Sequence, residues 1–366
     1  MPARDDWNLR MVRCREARAL LPSQPGTPDL TDWGTLEAGH LDTGYTRHPV
    51  FGDWAAGAVW LRVGDGVNTR PGESATDPRD PLDYEGNPGH GTRTCSILCG
   101  DATGLAGAPT EIGVGPRLPT VPCRVINRVV LTPERNREAV AAGIRHCQTK
   151  GCAVLSISAG MPFWLPGATG GLGRAVDKAY AAGVIVVAAG GQIIDSVVYP
   201  GKYDRTIGVG GVTWQRRIWF DYDAGKEKVD VWAPAADVWR ADSLAEPGQA
   251  TVPAIEADDP GMFAMGAGTH DGSSGKGSGT SYATPHVAAA AAMWLRLRGA
   301  EIAARYNQPW QRVEAFRRLL KDTASNINGT APANGSGVLD ILALVQAPLP
   351  APSRLRKAPE DKDKWA

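Results

Sequence analysis

Three short runs of apolar sequence decide the fold: AVLSI (153–157), VIVVAA (184–189) and TIGVGGV (206–212). They are rich in β-branched residues and show no alternating polar face, which is typical of strands buried on both faces. Two longer helical patterns, 134–148 and 173–182, precede the first and second runs, and each ends close to a glycine. Such alternation is typical of βαβ units. The sequence therefore predicts an α/β fold in three layers, with a mostly parallel sheet between helices.

The bulk composition excludes several classes of function. The chain has 366 residues, of which 43% are hydrophobic, enough for one large core. Lys plus Arg and Asp plus Glu both number 39, so no basic excess exists to bind nucleic acid or an acidic membrane surface. The charged amino terminus has no apolar h-region, and no apolar run is long enough to cross a bilayer. We expect a cytoplasmic protein, although a secreted protein whose leader had been removed would look the same.

The cysteines give no sign of a metal centre. No CxxC pair occurs among them, and no His/Cys spacing is that of a zinc site. We expect reduced, buried thiols, as in a chain that is not exported. The six cysteines are Cys14, Cys95, Cys99, Cys123, Cys147 and Cys152.

The chain divides into one domain and a tail. Residues 1–345 form the predicted domain, in which 64–89 is a loop leading to His90. Residues 241–279 are Gly-rich and without period, so we expect a long inserted loop there. Residues 346–366 are Pro-rich and then charged, which predicts a solvated, disordered tail.

Three local motifs carry the candidate chemistry: LDTG (41–44), GHGT (89–92) and GTSYATPH (279–286). Alone, each has an ordinary structural interpretation: an aspartate in a turn, a histidine at a helix start, a serine as N-cap. The alanine-rich run after the third motif predicts a helix with no polar face, hence a buried one. In chain order, however, Asp42, His90 and Ser281 follow one of the known arrangements of a Ser-His-Asp triad.

These segments resemble the three signature motifs of the subtilases. The resemblance extends over roughly residues 7 to 345 and includes 113–126, 143–160, 176–190 and 199–212. It implies a subtilisin-like serine endopeptidase that hydrolyses peptide bonds through an acyl-enzyme. Ser281 would be the nucleophile, His90 its general base, and Asp42 the residue that orients the histidine.

The same resemblance implies the rest of the site. The backbone N–H of Ser281 and the side chain of Gln192, where the family has asparagine, would form the oxyanion hole. An exposed strand edge would pair with substrate, and a second segment of small residues would form the opposite pocket wall, with room for a large apolar side chain. The edge residues are Ser158, Ala159 and Gly160, and the wall residues are Ala189, Gly190 and Gly191. Subtilases often carry calcium; here no ligands can be named, and we predict no other metal or cofactor.

Two other functions remain open at this point. Gln192 in place of asparagine is compatible with a catalytically weak or inactive pseudoprotease that binds peptides in the same groove. The acyl-enzyme could also be resolved by an amine, which would make the chain a transpeptidase or peptide cyclase. The expected partner is a peptide or protein substrate, and a dedicated precursor is one candidate. Because the chain begins at the mature domain of the family, we expect one of two arrangements: the chain folds without a propeptide, or an inhibitor or chaperone segment is encoded separately.

Overall fold

A computed structural model describes most of the chain. The described residues are 5–102, 105, 109, 111–131, 134–161, 170–192, 194–220, 228–257, 265–328 and 337–361. The helices are α1 (Trp7–Met11), α2 (Cys14–Arg18), α3 (His90–Cys99), α4 (Glu134–Thr149), α5 (Gly170–Ala181), α6 (Thr280–Arg305), α7 (Pro309–Thr323) and α8 (Ile341–Gln346). The strands are β1 (Ser23–Gln24), β2 (Thr27–Thr31), β3 (Ala38–Asp42), β4 (Gly52–Asp53), β5 (Ala58–Val59), β6 (Val67–Asn68), β7 (Thr120–Arg124), β8 (Val154–Ile157), β9 (Ile185–Ala189), β10 (Ile207–Val212), β11 (Val231–Pro234), β12 (Val238–Ala241), β13 (Ala254–Ala257), β14 (Met265–Gly268) and β15 (Ser274–Gly277).

A seven-stranded sheet forms the centre of the domain. Its strand order is β11-β10-β9-β8-β3-β7-β6, and each neighbouring pair is parallel. Because the strands are parallel, their carboxyl ends lie at one edge, the usual place of a ligand site in such sheets.

Strand β9 shows why the apolar runs lack polar alternation. Ile185 and Val187 pack in the core cluster that contains the alanines of α6, whereas Val186 and Ala188 pack in the cluster that contains residues of α4 and α5. Successive side chains of a strand point to opposite faces, so both faces must be apolar when helices cover both. The predicted three-layer α/β fold is confirmed.

Helix α6 is the central buried helix. Its run from Ala288 to Ala292 is fully buried, as the absence of a polar face predicts. Pro285 lies inside its second turn. Proline has no N–H, so the carbonyl four residues earlier, that of Ser281, loses its helical donor. This carbonyl is at the candidate site.

The 241–279 segment is more regular than the sequence indicates. Strand β12 pairs antiparallel with β15, and β13 pairs antiparallel with β14. Strands of four residues with glycines are too short to give a periodic signal. The buried Arg93 of α3 ties this segment to the domain, because its guanidinium donates to the Asp242 carboxylate at 3.0 Å and to the Thr269 carbonyl at 3.2 Å.

The carboxyl-terminal segment differs from the solvated tail that its composition predicts. Residues 347–361 run along the domain, and Leu349, Leu355 and Asp361 are buried. The Asp361 carboxylate accepts the backbone N–H groups of Asp204 and Arg205 at 2.9 and 3.0 Å. A few well-placed apolar side chains and one buried carboxylate are enough to dock a segment whose average composition is polar.

Candidate active site

The three candidate catalytic residues come from three elements that meet at the carboxyl edge of the sheet. Asp42 is the last residue of β3, His90 the first residue of α3, and Ser281 the second residue of α6. Leu41 of β3 pairs with Ile157 of β8, so Asp42 and Ser158 are the next neighbours across these strands. Adjacent strands lie about 4.8 Å apart.

Asp42 and His90 form a close hydrogen-bonded pair. The distance from His90 Nδ1 to Asp42 Oδ1 is 2.7 Å, and Asp42 is fully buried. Burial by itself raises the pKa of Asp42, but the charge and hydrogen bond of His90 and smaller contributions from His40 and the Thr43 N–H outweigh it. The pKa of Asp42 is therefore below its usual value. A carboxylate here fixes His90 with Nδ1 protonated and leaves Nε2 as the basic nitrogen.

The second oxygen of Asp42 has a partner that sequence reasoning missed. The Thr94 hydroxyl lies 3.2 Å from Asp42 Oδ2 and 2.9 Å from Nε2 of His40. Burial lowers the pKa of His40 to about 4, so this imidazole is neutral at pH 7. When the hydroxyl donates to Asp42, His40 must donate to the hydroxyl. Thr94 lies four residues after His90, so its helical spacing was a usable signal.

Two glycines shape the start of α3. Gly89 has φ of +76°, and a Cβ there would also meet Ser243 Oγ at 2.2 Å. A Cβ on Gly91 would meet the Gly44 carbonyl oxygen at 2.1 Å. The GHG sequence therefore lets the first turn of α3 pack directly on the turn that follows Asp42.

Arg124 supports the same turn from the neighbouring strand. It pairs in register with Asp42 across β3 and β7, and it is almost wholly buried. Its guanidinium donates to the Thr43 carbonyl at 2.6 Å, to both carboxylate oxygens of Glu73 at 2.6 and 3.0 Å, and to Asn127. Arg124 thus joins the 64–89 loop to the end of β3. Nothing in its local sequence indicated this role.

Ser281 is tied to the end of β8 by two reciprocal hydrogen bonds. The Ser158 hydroxyl donates to the Ser281 carbonyl at 2.9 Å, the carbonyl that Pro285 leaves without a helical donor. The Ser281 hydroxyl in turn donates to the Ser158 carbonyl at 3.3 Å. In the described part of the chain, Ser281 Oγ forms no hydrogen bond with His90. Catalytic hydrogen bonds are often long without substrate and tighten when it binds.

Thr280 fixes the orientation of the Gln192 side chain. Gln192 Oε1 accepts the Thr280 hydroxyl at 2.8 Å and the Thr280 N–H at 3.2 Å. A backbone N–H can only donate, so the oxygen of the amide must face Thr280. Nε2 is therefore the atom that remains for another acceptor. It lies over the turn before Ser281, 3.4 Å from the position of a Cβ on Gly279.

The expected open strand edge is closed at Gly160 in this structure. The Gly160 N–H donates to the Val129 carbonyl at 2.8 Å, and its carbonyl accepts the Leu131 N–H at 2.9 Å. On the next residue, Met161 pairs antiparallel with Tyr199. An edge with unpaired N–H and C=O groups is satisfied by the nearest extended segment, here 129–131. Pairing of a peptide with Gly160 remains a prediction and requires that segment to move.

A small cavity opens beside Ser281 between the two expected walls. Its volume is about 40 Å³, far less than the expected room for a large apolar side chain. Ala189 and Gly191 lie on one side and Ser158, Ala159 and Gly160 on the other. Gly190 does not line the cavity, and its N–H donates to the Val209 carbonyl at 2.8 Å. The remaining lining residues are Val129, Val130, Gln192, Val198, Thr280 and Ser281.

The described residues lack the features of two other classes of site. No group of three or more His, Cys, Asp or Glu side chains is arranged there to hold a metal ion. No helix in that part of the chain combines the length and apolarity needed to cross a bilayer.

Comparison with protein families and curated proteins gives consistent results. The subtilase family model matches residues 39–338. Subtilisin DY of Bacillus licheniformis is 29% identical over 316 residues, which cover 85% of this chain and 91% of that protein. Subtilisin Savinase of Lederbergia lenta is 29% identical over 303 residues, covering 82% and 87%. An intracellular serine protease of Paenibacillus polymyxa is 26% identical over 279 residues, covering 73% and 71%.

A solved structure supports the fold independently. Fervidolysin from Fervidobacterium pennivorans, a keratinolytic enzyme related to subtilisin, superposes with a TM-score of 0.63 at 21% identity. The match covers 94% of this chain but 46% of the fervidolysin chain. At this identity the likeness concerns the fold alone.

Proposed function

Since this chain belongs to the subtilase family of serine peptidases, we propose that it is an endopeptidase that cleaves peptide bonds with Ser281, His90 and Asp42. The observation that carries the proposal is the 2.7 Å hydrogen bond between His90 Nδ1 and the buried Asp42 carboxylate. In the neutral ring this bond places the proton on Nδ1, so that Nε2 carries the lone pair that a general base needs.

The proposed reaction has two halves. Ser281 Oγ attacks the substrate carbonyl while its proton passes to His90 Nε2. His90 then gives that proton to the leaving amine as the C–N bond breaks, which leaves an acyl group on Ser281. A water molecule, deprotonated by His90, next attacks the ester. The acid product departs, and the proton returns to Ser281.

The tetrahedral intermediates need donors for their oxyanion. We assign the Ser281 N–H, near the amino terminus of α6, and Nε2 of Gln192. Thr280 supports this assignment because it holds the other end of the amide. In subtilisin, loss of the side-chain donor costs about 10²- to 10³-fold in turnover. We therefore expect Gln192→Leu to lower kcat by a similar factor and to change KM little.

Labelling of Ser281 tests the nucleophile directly. A fluorophosphonate probe at pH 7.5 should label the parent protein and not Ser281→Ala, and peptide mapping should place the adduct on residue 281. Ser23→Ala, a change of an exposed serine in β1, is the matched control and should be labelled like the parent. Absence of an adduct in a folded parent would instead favour a peptide-binding pseudoprotease.

Product mass separates hydrolysis from amine transfer. Hydrolysis adds one water to the summed products, whereas cyclisation or transpeptidation adds none. We expect the hydrolytic mass with unstructured peptides, and a product lacking that water would assign the acyl-enzyme to a transferase.

A cytoplasmic location is part of the proposal. All six cysteines are buried free thiols, which a reducing compartment favours. One relative is described as an intracellular serine protease. Fractionation of the source cells tests this assignment, since activity in the culture medium would contradict it.

A further inference from the structure

The cavity beside Ser281 is small because one side chain fills its floor. Val198 is buried, 5% exposed, and lines the cavity with Gly160 and Gly191. A Cβ on Gly160 would lie 2.1 Å from Val198 Cγ2, and a Cβ on Gly191 would lie 2.7 Å from Val198 Cγ1. The two methyl groups therefore touch both facing walls and bridge the space between them.

The backbone holds Val198 in this place. Its N–H donates to the Gly190 carbonyl at 2.9 Å. The next residue, Tyr199, exchanges two hydrogen bonds with Met161, at 2.7 and 3.1 Å. Valine is stiff at χ1, so rotation cannot clear the space without carrying a methyl group into one wall. Backbone hydrogen bonds therefore fix the Val198 segment to both walls of the pocket, at Gly190 and at Met161.

We propose that Val198 restricts this peptidase to substrates with glycine or alanine at the residue whose carbonyl is attacked. The inference rests on the proposed function, because it identifies this cavity as the place of that residue's side chain. Its volume is about 40 Å³. A buried cavity that accepts benzene has about 150 Å³. We therefore expect the cavity to take a side chain of methyl size and to accommodate leucine or phenylalanine poorly.

A peptide series measures the restriction. Four peptide anilides that differ only in the residue before the scissile bond, Gly, Ala, Leu or Phe, are compared by kcat/KM. One methylene more or less in a hydrophobic pocket changes kcat/KM by about 10- to 200-fold, so we expect Ala to exceed Phe by at least about 100-fold in the parent. In Val198→Gly the order should reverse or the ratio should fall by at least 10-fold.

The neighbouring valine provides the matched control. Val197 is also buried, does not line the cavity, and packs with Val212 and Trp232. Val197→Ala should leave the Ala/Phe ratio unchanged. A parent that prefers Phe, or a ratio that does not respond to Val198→Gly, would overturn the inference while leaving the peptidase assignment intact.

Binding of products tests the pocket without turnover. Peptides ending in Ala or Phe with a free carboxylate are titrated into Ser281→Ala by calorimetry, with and without Val198→Gly. We expect the Ala peptide to bind at least 10-fold more tightly until Val198 is removed. If no anilide is cleaved, the proposed function fails, and this measurement still decides on Val198: equal affinities would refute its role.

Discussion

Acidification should destabilise this protein through a buried histidine that takes no part in the proposed chemistry. His286 lies in α6 and is fully buried. Its Nδ1 donates to the Tyr282 carbonyl at 2.8 Å, so Nε2, at 3.0 Å from Asn8 Nδ2, must accept. In the neutral imidazole both ring nitrogens therefore have hydrogen-bond partners. Burial lowers the pKa of His286 from 6.5 to about 4.

The sign and size of the effect follow from that difference. Between pH 6.5 and 4 the unfolded chain protonates this histidine and the folded chain does not, so stability falls as the pH falls. At about 1.4 kcal/mol for each pH unit of difference, the full effect of His286 is about 3 kcal/mol. Between pH 7.5 and 4.5 about 2.5 kcal/mol of this is lost. His40, whose pKa is also lowered to about 4, adds a separate loss of the same sign.

Urea unfolding measured at several pH values isolates the contribution of His286. We compare His286→Gln with its parent, both in the Ser281→Ala background to prevent self-cleavage. The parent should lose about 2.5 kcal/mol more than the variant between pH 7.5 and 4.5. Thr284→Val, an equally buried change in the same helix without a titrating group, should follow the parent. Parallel profiles for parent and His286→Gln would refute the reasoning.

Four further outcomes are expected. Thr94→Val removes the hydroxyl on Asp42 Oδ2 and should lower kcat about 10-fold at unchanged KM, since a charge-assisted hydrogen bond is worth about 1.5–3 kcal/mol; an unchanged kcat would leave Thr94 a packing residue. Arg124→Met removes the donor to the Thr43 carbonyl, the Glu73 carboxylate and Asn127 and should cost about 1–3 kcal/mol in urea unfolding; an unchanged free energy of unfolding would argue against the anchoring role. Asp361→Ala removes the acceptor of two backbone N–H groups and should cost about 1–3 kcal/mol, so an unaltered Tm would mean that the segment is not docked in solution. Lengthening a peptide from two to four residues before the cut should raise kcat/KM less than about 3-fold, because pairing with Gly160 only exchanges hydrogen bonds already made with 129–131; a gain of 10-fold or more would mean that the edge is open.

The sheet and the three catalytic motifs were accessible from local sequence. Strands β8, β9 and β10 begin within one residue of the predicted runs and end at the same residues. A strand that is buried on both faces needs apolar residues at every position, so it can be recognised from a run of consecutive apolar residues. The motif around His90 was also recognisable, because Gly89, His90 and Gly91 are consecutive in the sequence. The contacts that require the two glycines, with Ser243 and Gly44, came only from the tertiary structure.

The sequence by itself determined the central strands β8 to β10, the buried helix α6 and the residue types of the three motifs, since those depend on neighbours along the chain. Tertiary structure alone decided that Val198 fills the pocket, that segment 129–131 covers Gly160, and that Arg124 secures the turn after Asp42. These contacts join residues from separate strands and loops. The periodicity of the sequence does not predict which of these distant residues come into contact, because their contacts depend on how the helices pack on the sheet.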